Sequence, residues 1–169
     1  MANEPQIEIF DDLLTYVERE RLYEIARTAQ YHICGADDTA IENQKDYSIV
    51  CDLDLDLVYK LGILDLPQFE HLKGRQCHGR INISTPTDSD RIHTDGMGTT
   101  TLIYYVNLNW DLEWQGFTIF TDDNKKEVIR TVEYVPGRFV LFDGGIPHKV
   151  CSPSTLAPTF RMTLTINFR

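Results

Sequence analysis

From Asp11 to Ala29 apolar residues recur as Leu14, Val17, Leu22, Ile25 and Ala29. That spacing predicts a helix, with Asp11 or Asp12 placed to cap its start. Short β-type runs follow near Tyr31–Ile33 and Tyr47–Cys51, separated by a polar loop. The stretch Leu55–Leu72 reads as a second, less regular helical region interrupted by Gly62 and Pro67. From about Cys77 the period changes. Runs at His78–Thr85, Thr99–Leu108, Gly116–Thr121, Val128–Val135, Arg138–Phe142, His148–Cys151 and Phe160–Phe168 are each bounded by Gly, Pro, Asn or Asp. Short strands at this density predict a mainly β fold, a sandwich or jelly roll, with the early helices packed outside one sheet.

The strands have two distinct faces. In the last one Met162, Leu164, Ile166 and Phe168 alternate with Arg161, Thr163, Thr165 and Asn167. Leu102, Tyr104, Val106 and Leu108 alternate with Thr99, Thr101, Ile103, Tyr105 and Asn107 in the strand from Thr99, and Ile81 and Ile83 alternate with Arg80, Asn82 and Ser84. One-sided antiparallel sheets put such polar faces in water. A polar cavity between two sheets is the other reading, and these alternations alone leave both open.

At 169 residues and 19.5 kDa the chain suits one domain, with residues 1–76 as helical support and 77–169 as the jelly-roll core. A formal charge of −10 repels a phosphate backbone, which disfavours a nucleic-acid partner despite Lys73, Arg75, Arg80 and Arg91. Met1–Phe10 has no positive region leading into an apolar run, and no stretch is long enough to span a membrane, so the expected setting is cytoplasmic. Cys34, Cys51, Cys77 and Cys151 form no Cys-x-x-Cys pair and read as free thiols. The pattern carries no information on oligomeric state.

The chemistry concentrates in His93-Thr94-Asp95 and in His148. Two residues apart on extended backbone, His93 and Asp95 project to the same side, as a chelating pair must. His148 lies after the Gly144-Gly145 turn and supplies a third ligand. Two His and one carboxylate occupy one face of an octahedral metal and leave positions open, the arrangement expected of non-haem Fe(II) sites, whereas zinc more often takes Cys or three His. Arg161 sits on the polar face of the last strand with Thr163 beside it. A guanidinium fork there calls for an anionic partner, either an internal carboxylate or an incoming keto acid.

In this order the motifs resemble those of the 2-oxoglutarate- and Fe(II)-dependent oxygenases, in the prolyl-hydroxylase-like branch. His93-Thr94-Asp95 resembles the family's His-x-Asp, and Thr101–Asn107 with Trp110 resembles the aromatic strand after it. Gly116–Phe120 resembles the glycine-containing strand, Phe142–Val150 the distal-His strand, and Arg161-Met162-Thr163 the cosubstrate strand. The resemblance runs from Cys77 to the C-terminus. It implies a double-stranded β-helix, Fe(II) on His93, Asp95 and His148, and 2-oxoglutarate held through its distal carboxylate by Arg161, with Tyr105 as a further donor and Thr163 or Thr165 assisting. It also implies O2 as cosubstrate, ascorbate as a candidate auxiliary, and hydroxylation coupled to decarboxylation of 2-oxoglutarate to succinate and CO2. Retention of Asp95 favours hydroxylation over halogenation.

Three places depart from the family pattern. The connection Cys151–Pro158 is long, Gln115-Gly116 stands where the branch has Gly-Gly, and Asn82, Ile83 and Ser84 occupy the strand that often offers a Tyr. The resemblance favours a peptidyl, possibly prolyl, substrate. A small-molecule hydroxylase of the same superfamily and a cupin-like metal protein are the alternatives. Loops 85–91 and 94–98 and the pair of strands around 122–128 are expected to frame the mouth of the site.

Overall fold

The computed structural model describes residues 6–35, 47–88 and 91–169. In chain order the elements are β1 (Ile7–Phe10), α1 (Tyr16–Thr28), β2 (His32–Gly35), β3 (Tyr47–Leu53), α2 (Leu55–Lys60), β4 (Cys77–Ser84), β5 (Thr100–Tyr105), β6 (Thr118–Thr121), β7 (Val128–Val132), β8 (Phe139–Asp143), β9 (His148–Val150) and β10 (Arg161–Phe168). They form a large antiparallel sheet in the order β1-β8-β5-β10-β4-β3-β2 and a small one in the order β7-β6-β9. An isolated bridge between His93 and His148 adds the His93 segment to the edge of the small sheet. The polar loop expected between the second and third strands lies at 36–46, outside the described residues, as do Ser89 and Asp90. No helix of the described residues is long and apolar enough to cross a membrane.

The two faces of the large sheet have separate fates. Its apolar face carries Leu102, Tyr104, Leu141, Leu164, Ile166 and Phe168, and Leu22 and Ala26 of α1, Val58 of α2 and Phe69 and Leu72 of the following turn pack on it. An aromatic run, Phe10–Phe69–Phe139–Tyr104, links turn and sheet at centroid spacings of 5.4, 5.1 and 4.6 Å. Each such side chain contributes about 1.5–3 kcal/mol when fully buried. The opposite face meets the small sheet through Ile7, Ile103, Val140 and Phe142 against Phe120, Val132 and Tyr134. Arg161, Thr163, Thr101 and Asn107 lie on that same interior side and are buried. At these residues the polar face is an interior surface, whereas at Arg80, Asn82, Ser84, Thr165 and Asn167 it is part exposed.

Several expectations need correction. Thr15, not Asp11 or Asp12, caps α1: its hydroxyl accepts from the Glu18 amide, and the Glu18 carboxylate accepts from the Thr15 amide at 2.7 Å. Asp11 is taken instead by Arg138, with Nε–Oδ1 at 2.8 Å and Nη2–Oδ2 at 2.9 Å, and that guanidinium holds its carboxyl below the usual range. Val17 is 73% exposed, because the helix turns Leu22 and Ala26 to the sheet. The region Leu55–Leu72 is α2 followed by two 3-10 turns, Ile63–Asp65 and Pro67–Leu72. The N-terminal segment is more than helical support, since β1, β2 and β3 extend the large sheet. β1 escaped the period-2 reading because it has only four residues: Ile7 and Ile9 join the inter-sheet core, while on the other face Phe10 packs on the helical side and Glu8 is exposed.

Candidate metal and keto-acid site

Backbone pairing brings the three expected ligands together. His93 and His148 exchange both amide hydrogen bonds at 2.9 Å, which sets their rings side by side with centroids 4.5 Å apart. The Asp95 amide donates to the Gly144 carbonyl at 2.8 Å, and the Gly144 amide to the Thr99 carbonyl at 2.9 Å. Asp95 thereby hangs from the end of β8. A Cβ at Gly144 would collide with the Thr99 hydroxyl and come within 3.1 Å of the Asp95 Cβ, so this approach needs glycine. One ligand atom from each of His93, Asp95 and His148 lies within 4.8 Å of the others.

The donor chemistry suits a divalent metal. Nδ1 of His93 lies 2.9 Å from the Arg91 carbonyl, and Nδ1 of His148 is 2.9 Å from the Ile146 carbonyl. A carbonyl only accepts, so both Nδ1 atoms carry a hydrogen, and Nε2 is the nitrogen left on each ring to bind a metal. Those Nε2 atoms face opposite oxygens of Asp95, at 3.8 Å from His93 and 3.7 Å from His148. Thr101 donates to Asp95 Oδ2 at 2.5 Å and fixes the carboxylate plane. The His148 side chain is 4% exposed and packs edge-on against Phe142, whereas that of His93 is 46% exposed. The open side of the cluster is therefore the His93 side. Lys125, in the turn between β6 and β7, reaches the Ile92 carbonyl at 3.2 Å, which puts that turn at the expected rim.

On the same interior face Arg161 is wholly buried. Nε donates to the Gly116 carbonyl at 2.7 Å and Nη2 to the Thr118 hydroxyl at 3.2 Å. The guanidinium carbon stands 5.3 Å from the Tyr105 ring centre and 4.8 Å from that of Tyr134. These two rings stack at 4.5 Å. Thr163 lies opposite Tyr105 in the β10–β5 register, so Arg161, Thr163 and Tyr105 share one face as expected. The long Cys151–Pro158 connection leaves this register intact, and Gln115 pairs with Pro153 across it.

Tyr105 differs in one respect from its expected role. Its hydroxyl donates to Thr118 Oγ1 at 2.8 Å, and burial raises its pKa, which keeps the proton in place. Thr118 accepts from both Tyr105 and Arg161, which leaves its own hydroxyl hydrogen to donate into the interior. Thr118, Thr101 and Tyr134 are the site residues that the sequence reading missed. Thr118 sits two residues after Gly116 on the glycine-containing strand, a position from which it could have been read. Tyr134 lies beyond the end of β7, and its hydroxyl meets Asn107 and the Met162 carbonyl, each at 2.5 Å. No sequence period marks it.

Gln115 adopts φ 58° and ψ −133°, a region that glycine favours. Its amide donates to the Leu112 carbonyl, and its carbonyl accepts from Trp110 Nε1. Both bonds survive without the side chain. Gln115→Gly is expected to stabilise the fold by about 1 kcal/mol, the relieved strain less the added chain entropy. Urea denaturation checks this, and a fall in midpoint would contradict the strain.

No protein-family model matches the sequence, and no curated protein does. Solved structures do match in fold. A Pseudomonas putida prolyl-4-hydroxylase superposes with a TM-score of 0.70 at 18% identity, covering 98% of this chain and 93% of its own. A Trichoplax adhaerens prolyl hydroxylase in complex with a hypoxia-inducible-factor oxygen degradation domain peptide fragment gives 0.69 at 14% identity, covering 98% and 84%. An oxidoreductase of the 2OG-Fe(II) oxygenase family from Burkholderia pseudomallei gives 0.67 at 12%, covering 96% and 84%. The chain has the double-stranded β-helix fold of these structures.

Proposed function

We propose that this chain is a 2-oxoglutarate- and Fe(II)-dependent dioxygenase that hydroxylates a peptidyl residue, with proline the first candidate. The observation that carries the reading is the convergence of His93, Asp95 and His148, with fixed tautomers, on the interior face that also buries the Arg161 guanidinium. Two imidazoles and one carboxylate would suit Fe(II) and would leave its other positions open to cosubstrates, here 2-oxoglutarate and O2. When bound, these supply the oxidising chemistry, with release of succinate and CO2.

The chain's own residues bind and orient. Carbonyls of Arg91 and Ile146 hold the imidazole hydrogens on Nδ1, and Thr101 fixes Asp95. Arg161 receives the distal carboxylate of 2-oxoglutarate through charge-assisted hydrogen bonds. Thr118, made a donor by the bonds it accepts from Tyr105 and Arg161, adds another, and Thr163 lines the same face. The apolar contacts of Phe120 and Phe142 around His148 exclude water from the closed side. Two of the three similar structures are prolyl hydroxylases, and one of these holds a peptide, which supports a peptidyl substrate.

Succinate release tests the reading. With Fe(II), 2-oxoglutarate and O2, proline-containing peptides should stimulate succinate formation above the rate without substrate, and free amino acids should not. Stimulation by free amino acids alone would move the substrate to the small-molecule class. No succinate under any condition would refute the oxygenase assignment.

A further inference from the structure

Among the described residues Met97 is the most exposed large apolar side chain, 90% open to solvent. It stands two residues after Asp95, at the corner of a tight turn. The Thr99 amide and hydroxyl both donate to the Gly96 carbonyl, at 3.3 and 2.7 Å, and Gly98 takes φ +77°. These features make Gly96–Thr99 a type II turn, whose third position favours glycine and whose second carries Met97. Both ends of the turn are pinned to one residue: the Asp95 amide donates to the Gly144 carbonyl, and the Gly144 amide to the Thr99 carbonyl. The backbone is held while the side chain is left in water.

Met97 belongs to neither apolar core, so folding does not account for it. Its sulfur lies over Gly145, where a Cβ would stand 3.0 Å from Sδ, and Gly145 is in the turn that leads into His148. The thioether is therefore held out between the two ligand segments, at the metal end of the interior. Single exposed apolar residues are ordinary on a protein surface. One presented on a pinned backbone beside a metal cluster is a surface for a ligand to cover, and an unbranched thioether adapts to apolar groups of differing shape. The same place repels a carboxylate. Asp143 Oδ1 stands 3.1 Å from that Gly145 position, Asp95 is two residues away, and the chain carries a formal charge of −10.

We propose that Met97 is a specificity-determining residue of this site: its thioether packs on an apolar side chain next to the residue that is oxidised in a bound peptide, and so selects such peptides over acidic ones. This rests on the oxygenase reading above and adds to it the chemistry that the substrate must present beside its reacting residue. Water leaves both apolar groups when they meet, and the turn needs no rearrangement to allow it.

The test measures kcat/KM for succinate formation with capped Ala-Xaa-Pro-Xaa-Ala peptides that carry leucine or aspartate at Xaa. The wild type should favour the leucine peptide by about tenfold, roughly the worth of burying one such side chain. Met97→Ala should cut that preference to about twofold, and Met97→Lys, which brings an opposite charge to the same place, should reverse it. The same ratio in all three proteins overturns the proposal. Methionine-methyl NMR is the second arm and reads contact directly. The chain has three methionines, Met1, Met97 and Met162, and loss of a signal in Met97→Ala identifies that of Met97. In isotope-labelled protein held anaerobic with Zn(II) and 2-oxoglutarate, the leucine peptide should shift the Met97 methyl and leave the buried Met162 in place. Saturating peptide with Met97 unmoved also overturns the proposal. A wild type that binds Fe(II) and 2-oxoglutarate with a charge-transfer absorption yet turns over no peptide removes the peptide and this proposal with it. Absence of that absorption counts against the oxygenase reading itself.

Discussion

Anaerobic addition of Fe(II) and 2-oxoglutarate should give a visible metal-to-ligand charge-transfer absorption, and His93→Ala should abolish it. The absorption requires metal and keto acid in one coordination sphere, so it reports assembly of the site without any substrate. His93 is the cleaner ligand to remove. Its side chain is nearly half exposed, whereas His148 is buried against Phe120 and Phe142, where truncation would also open a cavity. The backbone pairing of His93 with His148 does not depend on the imidazole and should persist, which circular dichroism checks. Thr101→Val should behave differently. All three ligands remain, but Asp95 loses the hydroxyl that orients it, and such losses weaken metal affinity by about 10–100-fold. The absorption should then return at higher iron concentration. Full absorption in His93→Ala would remove His93 from the ligand set.

Much of this site was legible because strand alternation is a strong geometric constraint. His93 and Asp95, two residues apart, had to share a side, and Arg161, Thr163, Thr165 and Asn167 had to share a face. Whether that face met water or a second sheet was not legible, because alternation reports two faces and not what covers them. The covering depends on Phe120 and Val132 of the other sheet and on Tyr134 just beyond it. Tyr134 shows the limit most plainly. It supports Arg161 and Tyr105 from beyond a strand end, through contacts with residues 27 and 28 positions away.

Local rules failed where tertiary partners outbid them. Asp11 is a good helix cap by type, yet Arg138 holds it in a two-point ion pair, and Thr15 with Glu18 starts the helix four residues later. Val17 fits the apolar spacing of α1 and faces solvent, since the sheet accepts Leu22 and Ala26. β1, Ile7–Phe10, is only four residues long, too short for alternation to declare itself. The donor role of Thr118 was hidden for a different reason. It follows from the direction of the Tyr105 hydrogen bond, which only the packed interior sets.

Arg161→Ala should weaken 2-oxoglutarate binding by at least about 100-fold while Fe(II) binding persists. Hydrogen bonds to charged groups are worth about 1.5–3 kcal/mol each, and loss of a two-point contact exceeds 3 kcal/mol. Removal of so large a buried side chain also leaves a hole beneath Tyr105 and Tyr134, so a gentler variant has to accompany it. Gly116→Ala serves. A Cβ there would stand 3.0 Å from Arg161 Cδ and 3.3 Å from Nε, on a residue whose φ is +80°. The guanidinium is displaced but not lost, and a roughly tenfold weakening is expected from a misplaced fork. Arg161→Lys keeps the charge without the planar donors and should fall between the two. Titration of 2-oxoglutarate against the charge-transfer absorption separates these affinities from metal binding. If all three variants bind 2-oxoglutarate as the wild type does, the keto acid is not anchored on β10, and the face shared by Arg161, Thr163 and Asn167 serves some other ligand.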